Sequence, residues 1–478
     1  MNPLFYTYGD DAPIAAPATP LAECALAVIR TSGKNAIPLV ASVFSRPPKL
    51  LEAPGNTVVH GWILDKNEKI DEVLVSVYRG PRSYTGEDSV DICCHGGITP
   101  VQGVMRVLHC AGFRDSLPGE FSFRAFMNGK LDLTRAESVM ELVSAKTDEA
   151  RSHAVNRLSG SLEQEVRSIQ NQLVQVLAGT EIFLDYSEDE FMGNPGAPDD
   201  EAAGRLPDRA LAEEALARLR VLARSYRMER LYHEGALVVI AGRPNAGKSR
   251  LFNRLLKEDR SIVTDIPGTT RDWIEGWISI EGIPIRLVDT AGIREAAPGG
   301  DIEKLGMERS RALLKEADLV LYVVDASCRS DTGEEMFSFP EFLPEDPKRI
   351  LPLWNKIDLC APSAMLEQRA GSFQGISAKT GWGIPELASA IAARLTLAHG
   401  GKEARGTSSG IGTERQKGLI SVAIQRLEEA LALADRGEPL DLIAPLLREG
   451  VYALGEITGE VSTADMLEVM FSRFCVGK

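Results

Sequence analysis

Residues 242–249 read Gly-Arg-Pro-Asn-Ala-Gly-Lys-Ser, the glycine-rich pattern of a phosphate-binding loop. An apolar run with strand character, 236–241, precedes it, and a helical run, 250–256, follows it. Strand, glycine turn and helix start are the context in which this pattern forms a nucleotide site. Gly242 and Gly247 let the backbone turn its N–H groups toward phosphates, beside the positive end of the helix. The stretch therefore predicts a P-loop domain with a parallel sheet and helices on both faces.

The next motifs predict how phosphates and metal are held. Lys248 places a positive charge at the β/γ oxygens, and the Ser249 hydroxyl can ligate Mg²⁺. Thr270 lies in the run Gly-Thr-Thr-Arg-Asp and is the expected switch threonine, which senses Mg²⁺ and the γ-phosphate. Asp289 ends an apolar run and is expected to hold the metal through water. Lys248 and Thr270 are accordingly predicted to take part in catalysis.

The downstream run Asn355-Lys356-Ile357-Asp358 predicts that the base is guanine. Asp358 is placed to accept hydrogen bonds from the guanine N1–H and 2-amino group, whereas adenine offers no such pair. The alternative, a P-loop ATPase with an accidental Asn-Lys-x-Asp, is disfavoured because the motifs follow in order. The predicted GTP contacts are Asn245, Ala246, Gly247, Lys248, Ser249, Arg250, Thr264, Thr269, Thr270, Asp289, Thr290, Ala291, Gly292, Asn355, Lys356, Asp358, Ser377, Ala378 and Lys379.

Composition limits the class of protein. The 478 residues suggest about three domains, and 44% hydrophobic with 25% charged residues is ordinary for globular proteins. No stretch approaches 18 apolar residues, and the first residues lack the basic-then-apolar order of a signal peptide. Seven scattered cysteines favour reduced thiols and a cytoplasmic location without a membrane partner. A net charge of −15 argues against wrapping nucleic acid unaided.

Changes in sequence pattern predict four segments and a multidomain α/β architecture. Residues 1–128 mix short strands with one helix and form an α+β domain, whereas 129–233 show helical periodicity. Residues 234–397 alternate strands and helices as the GTPase domain. A Gly- and Ser-rich linker opens 398–478, which then returns to helical periodicity. We expect the helices before and after the GTPase domain to pack together, so that this domain is an insertion.

The catalytic motif has a gap after Asp289. Many small GTPases place a glutamine directly after the Asp-x-x-Gly glycine to orient water, but this chain has Ile293. Another residue must therefore orient the water, and another positive charge must replace an arginine finger. Asn245 suggests the second, because an asparagine oxygen beside the β/γ bridge can help hold a monovalent cation.

Several motifs together resemble one bacterial family. They are the loop 242–249, the run Thr-Asp-Ile-Pro-Gly-Thr-Thr-Arg-Asp at 264–272, and the terminal Cys-Val-Gly-Lys at 475–478. The chain is similar to the tRNA modification GTPases of the MnmE (TrmE) family from about Ile14 to Lys478. Tyr-Thr-Gly-Glu-Asp at 84–88 belongs to the same likeness.

The resemblance implies metal ligands and a residue that orients the attacking water. K⁺ is expected at Asn245, Thr264, Ile266 and Thr269, and Mg²⁺ at Ser249 and Thr270. The family's water-positioning glutamate corresponds to Glu303, although the preceding segment looks longer than usual. Glu295 and Glu308 are the alternatives.

The resemblance also implies a reduced-folate site in the first domain. The matching positions are Arg30, Glu87, Lys130 and Lys478, and the cofactor is 5-formyl- or 5,10-methylene-tetrahydrofolate. Glu87 would accept pterin N–H groups while basic groups meet the glutamyl carboxylates. Ordinary surface or capping roles are the alternative for these four. Residues 21–25 depart from the family's glycine-containing turn.

By resemblance, the expected activity is a K⁺-stimulated homodimeric GTPase. With a flavin-dependent MnmG/GidA-type subunit it would add a (carboxymethyl)aminomethyl-type group at C5 of the wobble uridine of tRNA. The alternatives are a ribosome-assembly switch GTPase that binds rRNA, and a GTP-gated scaffold that lacks folate. Cys475 is a candidate nucleophile, although a thiol that only packs is commoner. His95 is expected to be a turn or packing histidine.

Overall fold

The computed structural model describes residues 8, 10–185, 206–258, 275–289, 312–328, 343–344, 346–360, 373–400 and 410–477. The chain divides into two compact units, Met1–Met140 with Gly455–Lys478, and Glu141–Leu454. Within the described residues, none of the helices combines the length and apolar character that crossing a bilayer requires.

The elements alternate short strands and helices at first and become long helices later. Up to residue 185 they are β1 Ile14–Pro17, β2 Leu26–Ser32, α1 Ala36–Ser42, α2 Pro47–Glu52, β3 Thr57–Asp65, β4 Glu68–Tyr78, β5 Ser89–His95, α3 Ile98–Ala111, β6 Arg114–Asp115, α4 Glu120–Met127, α5 Leu133–Ser144, α6 Asp148–Leu158 and α7 Ser161–Asp185. Beyond it they are α8 Arg209–Glu234, β7 Ala236–Gly242, α9 Lys248–Glu258, β8 Glu275–Ile280, β9 Ile283–Asp289, β10 Leu319–Asp325, β11 Ile350–Asn355, β12 Gln374–Gly375, α10 Ile384–Ala398, α11 Glu414–Asp435, α12 Leu440–Thr458 and α13 Ala464–Phe471.

The first unit is built on a six-stranded sheet of order β3-β4-β5-β2-β1-β6. Its neighbours pair antiparallel except β1 with β6, which run parallel. Alternate residues of the strands, such as Val73, Val75 and Val77, are buried with α1 and α3 in one hydrophobic core. An antiparallel sheet covered on one face produces this alternation. The predicted α+β class of the N-terminal domain is confirmed.

A smaller core of the first unit joins residues that precede the second unit in sequence to residues that follow it. Phe123 of α4 and Leu133 of α5 are buried with Phe471 of α13 and Phe474. The rings of Phe123 and Phe471 meet edge-on, with their centroids 5.5 Å apart. Such aromatic pairs stabilise a core beyond the area they bury. The last residues of the chain are therefore an integral part of the first unit.

In the second unit, helices from both sides of the GTPase segment pack against one another. α8, which leads into β7, contacts α6 and α7 before it in sequence and α11 beyond the GTPase segment. Buried small and aliphatic side chains, among them Leu219 of α8 and Leu427 of α11, lie along these helices. This arrangement agrees with a P-loop domain inserted into a helical domain. The boundaries at 128, 233 and 397 stay predictions.

The GTPase sheet has the order β12-β11-β10-β7-β9-β8. Four of its five strand pairings are parallel, but β8 runs antiparallel to β9, so the sheet is mixed. The reason is the two-residue turn between them, where Glu281 and Gly282 both have positive φ. A turn of this length can only join antiparallel strands.

Both faces of this sheet are covered. Val238 and Ile240 of β7 point into a core shared with α9 and α10. Their neighbours Val239 and Ala241 belong to a second core, which contains Leu314 of the helical residues 312–316. Alternation along a strand sends neighbouring side chains to opposite faces. The predicted helices on both faces of the sheet are confirmed.

Candidate functional site

The loop between β7 and α9 uses backbone conformations that favour glycine. Gly242 and Gly247 have φ values of 148° and 94°. A Cβ on Gly242 would collide with the Val323 carbonyl, and one on Gly247 with the side-chain amide of Asn355. Asn245 also has a positive φ, 63°, which asparagine tolerates better than most residues. The loop is thus a tight turn whose N–H groups and helix start suit an anion.

Lys248 adds a positive charge inside this loop. Its side chain is largely buried at the start of α9, and its ammonium donates to the Arg243 carbonyl at 3.0 Å. The side chains of Asn245, Ser249 and Arg250 are exposed around it. A cation held among turned backbone N–H groups provides complementary charge for phosphates.

Asn355 connects the phosphate loop to the base-reading segments. Its side chain is 1% exposed, at the end of β11. The amide nitrogen donates to the Ala246 carbonyl at 2.8 Å, and the amide oxygen accepts from the Ala378 N–H at 3.0 Å. Three segments that are far apart in sequence are therefore held together by one buried side chain whose donor and acceptor are both satisfied.

Asp358 is oriented by Ser377, the residue before Ala378. One carboxylate oxygen accepts a hydrogen bond of 2.6 Å from the Ser377 hydroxyl. That hydroxyl in turn accepts from the Thr380 N–H at 3.1 Å. An ionised carboxylate has capacity for several donors, so the Ser377 contact leaves room for others. Lys379 beside it is exposed.

Lys356 is held away from Asp358 by a second carboxylate. Its ammonium lies 2.6 Å from an oxygen of Asp325, which ends β10. Although partial burial opposes ionisation, hydrogen bonds from Lys356 and Ser327 hold the pKa of Asp325 below its ordinary value. Sequence analysis missed Asp325. Its position directly after an apolar run, as at Asp289, was the available signal.

Asp289 lies at the same edge of the sheet. It ends β9, is fully buried, and is in register with Ile240 of β7, just before the phosphate loop. The carboxyl ends of parallel strands meet at one edge, which is where ligands bind in such sheets. The structure thus brings Lys248, Asp289, Asn355 and Asp358 to one edge.

The switch segments lie outside the described residues. This applies to eight predicted residues: Thr264, Ile266, Thr269, Thr270, Thr290, Ala291, Gly292 and Glu303. Their roles stay predictions, as does the K⁺ and Mg²⁺ ligand set that includes them. Among the residues that are described, no group of three or more His, Cys, Asp or Glu is arranged to hold a metal ion.

A second charged cluster surrounds Arg30 in the first unit. The guanidinium binds Asp91, with Nε 3.2 Å from the nearer oxygen, and lies 5.5 Å from the ring centroid of Tyr84. It also donates to the Gly477 carbonyl at 3.5 Å. Arg30 is a quarter exposed, so its charge is accessible. Lys478, the next residue along the tail, lies outside the described residues.

Glu87 lies on the loop between β4 and β5. Its carboxylate accepts hydrogen bonds from Ser32 at 2.8 Å and from Arg124 at 3.1 Å. Arg124 also pairs with Glu120, which pairs with Arg114, so Glu87 is the accessible end of a buried ion network. The sequence analysis missed Arg124, although its i,i+4 spacing from Glu120 on α4 was a visible signal.

Lys130 contacts the same loop between β4 and β5. Its ammonium donates to the Pro81 carbonyl at 3.0 Å, and the neighbouring Asn128 donates to the Thr85 carbonyl at 2.7 Å. Arg30, Glu87 and Lys130 therefore all contact or belong to the segment 81–87. The turn at 21–25, which departs from the family pattern, lies against the residue after β5, because a Cβ on Gly96 would collide with Cys24.

The sequence makes Cys475 a candidate nucleophile and His95 a turn or packing histidine. Cys475 is exposed, and its carbonyl accepts from the Gly119 N–H at 3.2 Å, which fixes the tail near α4. His95 is held by Asp71 through both its ring, at 2.7 Å, and its backbone N–H, at 2.8 Å. The hydrogen bond and charge of Asp71 raise the pKa of His95. This doubly held histidine caps a strand end.

Two family models divide the chain near residue 130. The model of the MnmE helical domain matches residues 133–475, and that of the GTP-binding protein TrmE N-terminus matches residues 13–130. A tRNA modification GTPase MnmE of Treponema denticola is 42% identical over 99% of both chains. Its namesake in Carboxydothermus hydrogenoformans is 40% identical over 97% of this chain and 99% of the relative. That of Borreliella burgdorferi is 38% identical over 99% of both.

Proposed function

Because the chain belongs to the MnmE family of tRNA modification GTPases, we propose that it is a K⁺-stimulated GTPase that modifies the wobble uridine of tRNA at C5. The group added is of the (carboxymethyl)aminomethyl type, with a reduced folate as one-carbon donor. The observation that carries the proposal is the presence, in one chain, of the nucleotide loops around Asn355 and the charged cluster at 81–87.

The nucleotide part of the proposal assigns a task to each described residue. Turned N–H groups between Gly242 and Gly247, together with Lys248, hold the phosphates. Asp358, oriented by Ser377, reads the guanine edge. Mg²⁺ would be held by Ser249 and Thr270 and would neutralise charge on the phosphates. Glu303 would orient the attacking water in place of a glutamine after Gly292.

The cation part rests on Asn245 and Ile293. Asn245 is exposed on the phosphate loop with its backbone in the left-handed region. Its amide oxygen, with oxygens from Thr264, Ile266 and Thr269, would hold K⁺. A cation at this place stabilises the charge that develops on the β/γ bridge, as an arginine finger does.

Exchange of Na⁺ for K⁺ should raise GTP turnover about 10-fold, or roughly 1.4 kcal/mol of barrier. Asn245→Ala should abolish that difference, because the amide oxygen is lost, while GDP affinity stays nearly constant. Phosphate release in matched KCl and NaCl measures the ratio. Glu303→Ala is the contrast: it should lower turnover about 10²-fold in both salts and keep the ratio. Equal wild-type rates in the two salts would rule out the cation.

The folate part rests on complementary charge. Glu87 supplies an accessible carboxylate for N–H donors, and its ion pair with Arg124, at 3.1 Å, orients that carboxylate. Arg30 and Lys130 supply cations for the carboxylates of a folate tail. Lys478 would add a third. These residues fit a ligand with an amide-like edge at one end and acids at the other.

Calorimetry with 5-formyltetrahydrofolate on the full chain tests this site. Glu87→Gln and Arg30→Met should each weaken binding by about 10- to 100-fold, the effect of losing one charge-assisted hydrogen bond. Glu72→Gln is the matched control, since its exposed carboxylate pairs with His60 in the same sheet. Binding that is absent, or equal in Glu87→Gln and wild type, would instead favour a switch GTPase or scaffold without one-carbon chemistry.

The proposed partners follow from the proposed reaction. A flavin-dependent MnmG/GidA-type subunit would supply the redox chemistry, and the chain would act as a homodimer in the cytoplasm. Its net charge of −15 suggests that tRNA is held largely by the partner subunit. The rival, a ribosome-assembly switch, would need neither the Glu87 cluster nor the Cys-Val-Gly-Lys tail.

A further inference from the structure

A cavity of about 440 Å³ lies within the second unit, away from the nucleotide loops. Its wall includes Leu237 and Asp318, which lie at the amino ends of β7 and β10. The phosphate loop follows the carboxyl end of β7, so the two sites lie at opposite ends of the parallel strands. A volume of this size is typical of small-ligand sites.

Two cations share this cavity beside one aromatic ring. Trp277 of β8 is directly opposite Arg286 of β9 in the antiparallel register. The ammonium of Lys146, from the segment between α5 and α6, lies 3.1 Å from the centroid of the Trp277 ring. Burial and the charge of Arg286 both lower the pKa of Lys146. The ring attracts the ammonium, while the nearby guanidinium repels it.

The acidic groups of the cavity are already engaged elsewhere. Asp318 accepts from the Leu237 N–H at 2.8 Å, and Glu234 accepts from Arg230 at 2.6 Å. Across the described part of the chain, neither Lys146 nor Arg286 forms an ion pair with a carboxylate. The cavity therefore concentrates positive charge that the surrounding carboxylates do not neutralise.

Two further polar groups lie at its rim. The Ser144 hydroxyl and Nε2 of His233 are 3.1 Å apart, and both residues line the cavity. A hydroxyl and an imidazole can each turn a donor toward an anion. Two cations with further hydrogen-bond donors around them match a group with several acceptor oxygens and more than one negative charge.

We propose that this cavity binds a phosphate group between Lys146 and Arg286, with Ser144 and His233 at its rim. A phosphate fits better than a single carboxylate because it presents more acceptor oxygens and can carry two charges. Free inorganic phosphate and the backbone of RNA share this chemistry. The site is distinct from the γ-phosphate position, which belongs to the opposite edge of the sheet.

Binding is tested on the full chain loaded with GDP, so that the phosphate loop is filled. Calorimetry follows inorganic phosphate, and fluorescence anisotropy at fixed ionic strength follows unmodified tRNA. Lys146→Met and Arg286→Gln should each lower the affinity for the bound ligand by about 10-fold or more. Lys146→Arg keeps a cation that can lie over the Trp277 ring, so it should lose less affinity than Lys146→Met.

Lys69→Met is the matched control, because the Lys69 ammonium also lies over a tryptophan, 4.2 Å from the Trp62 ring centroid, but in the first unit. It should bind as wild type does. Loss of tRNA affinity in both cavity variants assigns the site to an RNA phosphate, and loss confined to inorganic phosphate assigns it to the free ion. The proposal is overturned if neither ligand binds, or if both cavity variants bind both ligands normally.

Discussion

Replacing Asp358 with asparagine is expected to weaken GTP binding by about 2–4 kcal/mol, roughly 30- to 1,000-fold, and to shift preference toward XTP. The carboxylate is held by Ser377 through one oxygen, so an amide at this position would remain in place. Its NH₂ group would then face the guanine 2-amino group, donor against donor. Xanthine carries a carbonyl there, which the amide can satisfy.

Titration with fluorescent GTP and XTP analogues measures the shift. Asp325→Asn is the matched control, since it breaks the ion pair with Lys356 at the same sheet edge. That variant should lower affinity for both nucleotides and keep the preference for GTP. Unchanged GTP affinity in Asp358→Asn would mean that residues 355–358 do not read the base.

Arg157→Leu is expected to destabilise the second unit by about 3–5 kcal/mol. The guanidinium is 3% exposed and lies between the carboxylates of Glu141 and Glu229, with nitrogen–oxygen distances of 2.6 Å to each. His153 also contacts Glu229, at 2.9 Å. Removal of Arg157 leaves two carboxylates buried without the cation that neutralises them, which costs far more than losing a surface pair.

Urea unfolding of wild type and variant measures the loss. Arg151→Leu on the same helix is the control, since its pair with Asp148 is exposed and should contribute at most about 1 kcal/mol. Although burial raises it, hydrogen bonds from His153 and the charge of Arg157 hold the pKa of Glu229 below 4.5. The stability from Glu229 is therefore full above pH 4.5 and declines as pH falls through the lowered pKa. A difference between Arg157→Leu and wild type below 1 kcal/mol at neutral pH would contradict the argument.

The nucleotide loops are predictable from sequence because each is a short contiguous run that serves one ligand. The turn Glu281-Gly282 was equally readable, and it would have indicated the antiparallel edge strand that the prediction of a parallel sheet left out. Contacts between distant segments are different. Arg157 meets Glu229, 72 residues away, and no local pattern marks that pair.

The same limit applies at the second site. Arg30, Glu87 and Lys130 were assigned by resemblance, and the structure places all three at the segment 81–87. Two of these side chains are oriented by residues that the sequence analysis missed: Asp91 pairs with Arg30, and Arg124 pairs with Glu87. These pairs depend on how the strands and α4 pack in the folded unit. Binding residues were therefore more predictable than the residues that position them.

The core that Phe123 and Phe471 share affects the order in which the two units can fold during synthesis. The first unit needs Gly455–Lys478, but residues 141–454 are synthesised in between. At 5–20 residues per second this delay is about 15–60 s. During that time the aromatic surface of α4 stays uncovered on the nascent chain, while the second unit can already fold. The first unit can therefore be completed only after the second unit has been synthesised and Gly455–Lys478 has followed it.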